Sequence, residues 1–383
     1  MCGECSRTPE ASLRTMGRQQ FLRLVGGGVA AAGSAAVLLG PGQGKLFAQS
    51  GSSLEAEIET ASEKYEVPDE LLLAVSYVNA LWEMPPLGAS AYNPSDLHGR
   101  GAYGTMQLLQ NPSRDTLGRA AALTGFSESR LKTDRASNVL GGAAVLADLA
   151  GRSKPQGLEG WQELVAEYGS GPLYAQEVYE ALESGASLTT STGESLKLAA
   201  QDVEAPVVYT TQGKADYGRA RWYGAYHNGG RGPCANQYNF CKNNREKSLN
   251  ISRIVIHVAE GSYSGTINWF QDPRSKVSAH YVVSRRGKIA QCVRDKNIAY
   301  HAGDWRYNQH SIGIEHAGYG SNRRTWSDAM YRASARLSAY ISRKYKVPVD
   351  RKHIVGHRKV SSTLCPGRHF DMDRYLRLIR KYK

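Results

Sequence analysis

Apolar residues follow a helical spacing over residues 53–185. They recur every three or four positions in the runs LLLAVSYVNALW, RAAALTGF and NVLGGAAVLADLA, a spacing that places them on one face of an α-helix. Pro68, followed by Asp69 and Glu70, is typical of a helix start. The pattern therefore predicts an all-α N-terminal domain over 53–185.

The pattern changes towards the end of the chain. A stretch rich in Ser, Thr and Gly at residues 184–195 has no apolar periodicity and is typical of a linker. Short β-branched runs follow, RIVIHV, AHYVVS, KIAQCV and SIGIEHA, and they alternate with a helical pattern at 327–345. We predict a linker and connector over 186–249 and, over 250–383, an α/β domain with a central mixed β-sheet flanked by helices.

One strand of that sheet ends on a histidine. In RIVIHV, Ile254, Ile256 and Val258 point to one face and Val255 and His257 to the other. Both faces are apolar, so the strand is predicted to be central in its sheet. An imidazole at the end of such a strand requires a polar partner.

The first fifty residues have the composition of an export signal. A block rich in Gly and Ala, residues 24–44, follows three arginines, and we predict a signal segment over 1–48 with cleavage near Ala48. The run GRQQFLR is similar to a twin-arginine motif with Gln19 where the second arginine belongs, so both the twin-arginine and the general secretory route stay open. A membrane anchor is the alternative, but the block is barely long enough, and we expect no stable membrane insertion after cleavage.

Charge narrows the choice of partner. The 383 residues include 48 Lys+Arg and 35 Asp+Glu, a net charge of +13, which favours an anionic partner. The basic residues are scattered and carry no nucleic-acid-binding signature, so no nucleic acid is expected. The length suits two folded domains with accessory segments.

The cysteines indicate an oxidising compartment. Cys2 and Cys5 precede the signal core, whereas Cys234 and Cys241 lie in a polar loop with six residues between them. A small disulfide ring is predicted there. Cys292, in the strand-like run IAQCV, is interpreted as a small buried apolar residue.

A second histidine and a cysteine lie close together near the C-terminus. The run GHRKVSSTLCPG holds His357 and Cys365 and ends in a Pro-Gly turn that folds the cysteine back. With His257 they would give three tetrahedral ligands and leave one position open for water, as in hydrolytic metal sites. His353 is placed in an extended segment and is left off the metal. Taken singly, each of these residues is more typical of a structural role than of metal binding.

Five ordered segments within residues 252–377 supply the missing context. They are IVIHVAEGS, VSAHYVV, AYHAGDW, SIGIEHAG and HIVGHRKVSSTLCPG, and together they resemble zinc-dependent N-acetylmuramoyl-L-alanine amidases related to the peptidoglycan recognition proteins. The resemblance implies one Zn²⁺ held by His257, His357 and Cys365, and hydrolysis of the amide between N-acetylmuramic acid and L-alanine in peptidoglycan.

The same resemblance places Glu315 at the family's acid/base position. In SIGIE, Ile312 and Ile314 share one face, while Ser311, Gly313 and Glu315 share the other. A carboxylate in so apolar a strand is costly unless it has a partner or a role. A positioned acid/base group contributes on the order of 100- to 10,000-fold in rate.

Other family positions carry weaker signals. Thr363 stands where many relatives have a lysine and Ala279 where some have a tyrosine. Thr363 is a candidate catalytic hydrogen-bond donor or a turn hydroxyl. His301 and Trp305 resemble a substrate-facing loop, and His280 is either a substrate-binding or a structural residue.

The helical region resembles the lysozyme-like domain of lytic transglycosylases. The resemblance rests on GAYGTMQLL, on LLLAVSYVNA and NVLGGAAVLADL on either side of it, and on EYGSG. Asn79 stands at the position of the family's glutamate, and an amide cannot act as the acid, so an inactive module is expected unless Glu83 substitutes. Tyr103, Met106 and Gln107 are candidate lining residues of a glycan groove, with packing as the alternative for Tyr103 and Met106.

The sequence thus predicts a secreted, cell-wall-associated, monomeric zinc amidase. A muropeptide-binding protein without catalysis and a dual hydrolase with an active lysozyme-like module are the alternatives. Retention of Cys365 favours catalysis, because relatives that only bind have commonly lost that ligand.

Overall fold

The computed structural model describes residues 52–208, 213–229, 234, 238–242 and 250–383. The predicted signal segment, 1–48, lies outside the described residues. Within them, no helix combines the length and apolarity needed to span a bilayer.

Helices dominate the first half of the described residues and alternate with strands in the second. The α-helices are α1 (Leu54–Tyr65), α2 (Asp69–Ala80), α3 (Thr116–Thr124), α4 (Glu128–Thr133), α5 (Arg135–Ala150), α6 (Gln162–Tyr168), α7 (Pro172–Ser184), α8 (Tyr263–Gln271), α9 (Trp305–His310), α10 (Asp328–Tyr345) and α11 (Met372–Tyr382). The strands are β1 (Ala102–Tyr103), β2 (Leu108–Asn111), β3 (Arg114–Asp115), β4 (Ala186–Thr189), β5 (Ser195–Leu198), β6 (Arg221–Trp222), β7 (Phe240–Cys241), β8 (Arg253–Ile256), β9 (Tyr281–Val283), β10 (Ile289–Gln291), β11 (Ile298–Ala299), β12 (Ser311–His316) and β13 (Ile354–Gly356).

The helical region packs around one apolar core that extends from Leu54 to Leu198. Trp82 and Trp161 are completely buried in it. Helix α2 begins directly after Pro68, as the sequence predicts. Helix α1 is capped by Ser53, whose hydroxyl accepts from the main-chain N–H of the first turn, which satisfies a donor that the helix itself leaves unpaired.

The prediction of an all-α region is wrong in one respect. Strands β1, β2 and β3 form a small antiparallel sheet between α2 and α3. Gly101 and Gly104 adopt φ of 73° and 71° in this segment, a left-handed conformation that suits glycine and ends helical runs. The strands are two to four residues long, too short for their alternation to stand out in the sequence.

The predicted linker also contains structure. Strands β4 and β5 pair as an antiparallel hairpin. Leu196 and Leu198 are buried in the helical core, while Ser195 and Lys197, which alternate with them, are exposed. The hairpin therefore completes the core of the helical region. Its polar composition concealed the two-residue alternation of a strand, because only Leu196 and Leu198 mark the buried positions. The predicted bounds of the two domains, 53–185 and 250–383, stay predictions.

A mixed six-stranded sheet organises the second half, in the order β13-β8-β12-β9-β10-β6. Strands β13, β8, β12 and β9 run parallel to one another. Strand β10 is antiparallel to β9, and β6 adds parallel to β10 at the edge. Helices cover both faces, so the predicted central mixed sheet is confirmed.

The two faces of the sheet bury different apolar clusters. Ile254, Ile256, Ile312 and Ile314 pack with α10 and α11, as the alternation predicts. On the opposite face, Val282 and Ala290 pack with Ile267 and Phe270 of α8. Strands buried on both faces in this way are typical of parallel sheets.

The hairpin provides a test of the fold. We expect Leu196→Ala to lower the free energy of unfolding by about 2–5 kcal/mol, because it removes a buried side chain from the helical core. Lys197→Ala, on the exposed face of the same strand, should change stability by less than about 0.5 kcal/mol. Denaturant unfolding of both variants measures the difference. Equal effects would mean that β5 does not belong to the core.

Candidate active site

Three parallel strands in register bring the main candidates together. Gly356 of β13 and Ile314 of β12 both pair with Ile256 of β8. The residues that follow these three are His357, Glu315 and His257. Side chains at the carboxyl ends of neighbouring parallel strands lie side by side, which is where sites form in α/β sheets. The central histidine is thereby flanked by a second histidine and a carboxylate.

His257, His357 and Cys365 form a cluster with the geometry of a metal site. Their ligand atoms all lie within 4.8 Å of one another, and all three residues are buried. The Sγ of Cys365 is 3.9 Å from Nδ1 of His257, and the two histidine ring centroids are 4.5 Å apart. Residues that the sequence separates by about a hundred positions thus share one point in space.

A chain of hydrogen bonds fixes the tautomer of His257. Ser311 donates its one hydroxyl proton to the carbonyl of Tyr307, at 2.6 Å, so it accepts from Nε2 of His301, at 3.3 Å. With Nε2 of His301 as the donor to Ser311, Nδ1 of the same ring is placed to accept from Nε2 of His257, at 3.1 Å. The Nδ1 atom of His257 is therefore left without a proton and offers its lone pair to the cluster.

Two direct hydrogen-bond contacts fix the same tautomer in His357. Its Nε2 lies 3.0 Å from the carbonyl oxygen of Ala302 and 2.8 Å from the hydroxyl of Ser361. A carbonyl can only accept, so Nε2 carries the proton. Nδ1 is buried and makes no hydrogen bond with the described residues. A histidine that donates one ring N–H to a carbonyl and turns the other nitrogen inward is typical of metal ligation.

The main chain just after β8 contacts Cys365. The N–H of Val258 donates to its Sγ at 3.2 Å. Burial raises the pKa of the thiol well above its ordinary value, and the charge of Glu315 adds to this effect. A thiolate buried here would need a cation beside it, and a metal that bound Cys365 would displace the thiol proton.

Glu315 has an unusually apolar environment. Its side chain is 1% exposed, and neither carboxylate oxygen makes a hydrogen bond with the described residues. Oε1 lies 3.9 Å from Nδ1 of His257. Burial, followed by the charge of Glu260, raises the pKa of this carboxyl well above its ordinary value. Such a group exchanges protons near neutral pH more readily than an exposed carboxylate.

The other predicted site residues have distinct surroundings. Thr363 accepts a hydrogen bond from the N–H of Cys365, at 3.2 Å, so it shapes the turn that presents the thiol. His301 is buried against His257, behind the cluster. Trp305, at the start of α9, is 47% exposed and accessible to a ligand. His353 bonds to Asp350 outside the cluster.

His280 lies among main-chain groups of the sheet region. Its ring is completely buried. Nδ1 accepts from the N–H of Gly313, at 3.1 Å, and Nε2 lies 3.2 Å from the carbonyl of Asn297. Both ring nitrogens are thus engaged by the main chain, which disfavours the substrate-binding alternative for this residue.

Gly313 explains how the cluster is packed. A side chain at this position would place its Cβ 2.5 Å from the ring of His301. Only glycine leaves room for the histidine that fixes the tautomer of His257. The lack of a side chain at Gly313 therefore allows the ring of His301 to pack directly against the main chain of β12.

Most of the candidate site residues in the helical region are buried. Asn79 donates to the carbonyl of Met106, at 3.0 Å, and Met106 is completely buried. Gln107 is buried beside Arg100 and bonds to it, while Tyr103 is half-buried. The carboxylate of Glu83 accepts from the N–H and hydroxyl of Ser191. It therefore caps the turn of the hairpin.

Sequence reasoning missed three residues near the cluster. Ser361 bonds to His357, Glu260 raises the pKa of Glu315, and His98 interacts electrostatically with both histidine ligands. Ser361 and Glu260 lie within quoted family segments and could have been singled out there. His98 lies in the helical region, and no local signal connects it to residues far along the chain.

Comparisons with known proteins agree with this geometry. The family model described as N-acetylmuramoyl-L-alanine amidase matches residues 247–368. The chain is 38% identical over 152 residues to N-acetylmuramoyl-L-alanine amidase A of Achromobacter lyticus, an alignment that covers 34% of this chain and 85% of that protein. It is 37% identical over 114 residues to 1,6-anhydro-N-acetylmuramyl-L-alanine amidase AmpD of Haemophilus influenzae, covering 27% and 60%.

Solved structures give weaker matches. A crystal structure of a selenomethionine AmpD derivative has a TM-score of 0.33 and 25% identity, covering 44% of this chain and 99% of that one. The amidase LysC of Clostridium intestinale has a TM-score of 0.28 and 18% identity, covering 34% and 87%. The assignment rests on the sequence matches, and by them the chain belongs to the N-acetylmuramoyl-L-alanine amidase family.

Proposed function

We propose that the protein is a zinc-dependent peptidoglycan hydrolase that cleaves the amide bond between N-acetylmuramic acid and L-alanine. The observation that carries the proposal is the convergence of one ring nitrogen from each of two histidines and one cysteine sulfur within 4.8 Å, with a buried carboxyl beside them. Membership of the amidase family supports the reaction type and the substrate.

The donor set suits zinc. Two nitrogens and one sulfur are ligands that zinc prefers, and three protein ligands leave a fourth tetrahedral position open, as in catalytic sites. The buried Nδ1 of His357, which has no hydrogen-bond partner among the described residues, gains one interaction by ligation. When bound, zinc supplies a Lewis acid that lowers the pKa of water and polarises a carbonyl oxygen.

Glu315 is proposed as the acid and base. Its apolar surroundings favour the protonated form, so the carboxylate readily takes a proton from the attacking water. The water oxygen bonds to the lactyl carbonyl carbon, the C–N bond breaks, and Glu315 returns the proton to the nitrogen of L-alanine. One water is consumed, and one carboxylic acid and one amine are formed, which at neutral pH become a carboxylate and an ammonium group by transfer of the acid proton.

Thr363 and Trp305 are proposed to act on the substrate. The Thr363 hydroxyl accepts from the N–H of Cys365 and keeps its own proton to donate to a developing oxyanion. The exposed ring of Trp305 offers a surface for the sugar or the stem peptide. His301 is proposed to act through His257, since its contacts hold that ligand.

Export and wall binding complete the proposal. The disulfide between Cys234 and Cys241 supports an oxidising compartment. The net charge of +13 favours retention by an anionic wall. We propose that the helical region acts as a lysozyme-like module that binds glycan without cleaving it, because Asn79 lacks a carboxyl group to serve as the acid.

Metal removal tests the central claim. We expect a chelator to abolish the release of free L-alanine amino groups from purified peptidoglycan, because the ligands then have no cation to hold. One equivalent of Zn²⁺ should restore the release. Amine labelling of the digest measures both steps. Full activity in excess chelator, with zinc absent from the protein by elemental analysis, would refute the metal mechanism.

Two unbridged cysteines among the described residues provide a matched pair for the ligand assignment. Cys365 and Cys292 are both buried and unbridged, but only Cys365 lies in the cluster. Cys365→Ala should reduce zinc affinity strongly, by more than about 10-fold, whereas Cys292→Ala should keep one zinc per chain. Equal zinc content in the two variants would remove Cys365 from the site.

Glu315→Gln separates catalysis from binding. The amide keeps the shape of the side chain but cannot relay a proton, so we expect kcat to fall by about 100- to 10,000-fold with zinc content unchanged. Mass spectrometry of the wall digest measures the products. Undiminished amidase products from this variant would assign the proton transfer elsewhere. Binding without turnover in the unmutated protein would favour a recognition protein, and anhydro-sugar products a dual hydrolase.

A further inference from the structure

A cavity of about 330 Å³ lies between the helical region and helix α8 of the sheet region. Its volume is within the range of small-molecule sites. The helical region contributes Asn79, Gln107 and Tyr168 to its lining, and α8 contributes Asn268 and Trp269. The lining thus comes from both halves of the chain, so neither half forms the cavity alone.

Helix α8 is fixed in place as one wall of the cavity. The side chain of Asn268 donates to the carbonyl of Gly169 in the helical region, at 3.2 Å. At the start of α8, the N–H and the hydroxyl of Ser264 donate to the carboxylate of Glu177, at 3.0 and 2.7 Å. Because these contacts join α8 to the helical region at two points, the cavity has a permanent wall.

A buried arginine lines this cavity. Arg100 is 7% exposed, and its guanidinium packs against the main chain at the start of α8. A Cβ at Gly261 would lie 2.1 Å from Nη2 of Arg100, and a Cβ at Gly265 would lie 1.8 Å from Nη1. Since only glycine at these two positions leaves room for the guanidinium, close packing fixes the position of its charge.

The charge of Arg100 has no carboxylate partner among the described residues. Nη2 donates to the amide oxygen of Gln107, and the interaction with the hydroxyl of Tyr319 is also with an uncharged group. The carboxyl groups of Glu177 and Glu260 accept from main-chain N–H groups and do not line the cavity. A buried charge without a counter-ion is costly, so an anion that enters the cavity is stabilised.

The rest of the lining strengthens this preference for an anion. Arg114 and Arg274 also line the cavity, and Asp272 is the one acidic residue that the described part of the chain contributes to it. Arg114 donates to the carbonyl of Glu167 and Arg274 to the hydroxyl of Ser113, so neither of these bonds is to a carboxylate. The cavity is therefore cationic overall.

Neutral amides complete the lining. Asn79 stands at the position of the glutamate in the lysozyme-like family, and as an amide it adds no negative charge. The side chains of Asn268 and Gln271 each make one hydrogen bond with the described residues, whereas an amide can make up to four. Donors and acceptors thus remain for the hydroxyl and acetamido groups of a sugar. A sugar that carries a carboxylate suits both the amides and the arginines.

We propose that this cavity binds a sugar acid, the N-acetylmuramic acid residue of a glycan strand from which the stem peptide has been cut, with its lactyl carboxylate paired to Arg100. The inference rests on the proposed function, because hydrolysis converts a neutral lactyl amide into this carboxylate. A cationic cavity distinguishes the two groups, since it stabilises the charged product and not the neutral amide. Binding there retains the enzyme on strands that it has begun to strip.

The test compares two ligands that differ only at the lactyl group. They are the disaccharide of N-acetylglucosamine and N-acetylmuramic acid, and the same disaccharide with its lactyl carboxylate converted to a primary amide. Calorimetry uses the full chain, loaded with zinc and carrying Glu315→Gln so that the amide is not hydrolysed. We expect the acid to bind at least about tenfold more tightly, because hydrogen bonds between two charged groups are the stronger ones.

Added substitutions locate the bound acid. Arg100→Gln should abolish the preference for the acid and leave the affinity for the amide unchanged. Arg274→Gln, at an exposed position, should weaken binding of the acid by about two- to fivefold. Cys365→Ala should keep the preference, because the acid does not bind at the proposed metal site. Arg119→Gln removes an arginine that pairs with Asp148 away from the cavity, and this matched control should change neither affinity.

Thermal unfolding is measured for every variant, and Arg274→Gln carries the test if Arg100→Gln does not fold. Equal affinities for the acid and the amide would overturn the proposal, as would a preference that neither arginine substitution reduces. Loss of the preference in Cys365→Ala would also overturn it by placing the acid at the metal site, and so would displacement by equimolar acetate. Hydrolysis of the lactyl amide by Glu315→Gln would instead refute the proposed mechanism and leave the result for the cavity standing.

Discussion

The in-register pairing of β13, β8 and β12 is the constraint on which the site depends. Each strand contributes the residue that follows the same rung of the sheet, and the sheet is rigid because both of its faces are buried. A slip of one residue in any strand would turn its last side chain to the opposite face. The two histidines and Glu315 would then no longer meet. Strand register thus sets the chemistry before any ligand is bound.

Hydrogen bonds then determine which atoms of the ligands are available. Ser311 and His301 on one side and Ala302 and Ser361 on the other hold the Nε2 protons of the two histidines. Each imidazole consequently presents Nδ1 to the cluster with little need to reorganise. Preorganisation of this kind is how outer residues raise metal affinity without touching the metal. The polar network and the cluster of His257, His357 and Cys365 are therefore one structural unit.

Much of this arrangement could be predicted from local sequence. Alternation in RIVIHV and SIGIE placed Ile256 and Ile314 on one face and His257 and Glu315 on the other, because a strand has a strict period of two. The run GHRKVSSTLCPG brought Cys365 near His357 through its turn. The hairpin of β4 and β5 escaped detection, since Ser and Thr dominate its composition. Arg100 could not be connected to its cavity, because the docking of α8 on the helical region depends on tertiary packing that spacing does not record.

The order of the strands also bears on how the protein behaves when it is concentrated. The outermost strands of the six-stranded sheet, β13 and β6, are only three and two residues long. An edge so short exposes few main-chain groups to which a second molecule can add its own strand, and natural proteins use this device against aggregation. The longest strand of the sheet, β12, lies inside it. When many copies are concentrated on one surface, their sheets therefore have little capacity to associate with one another through their edges.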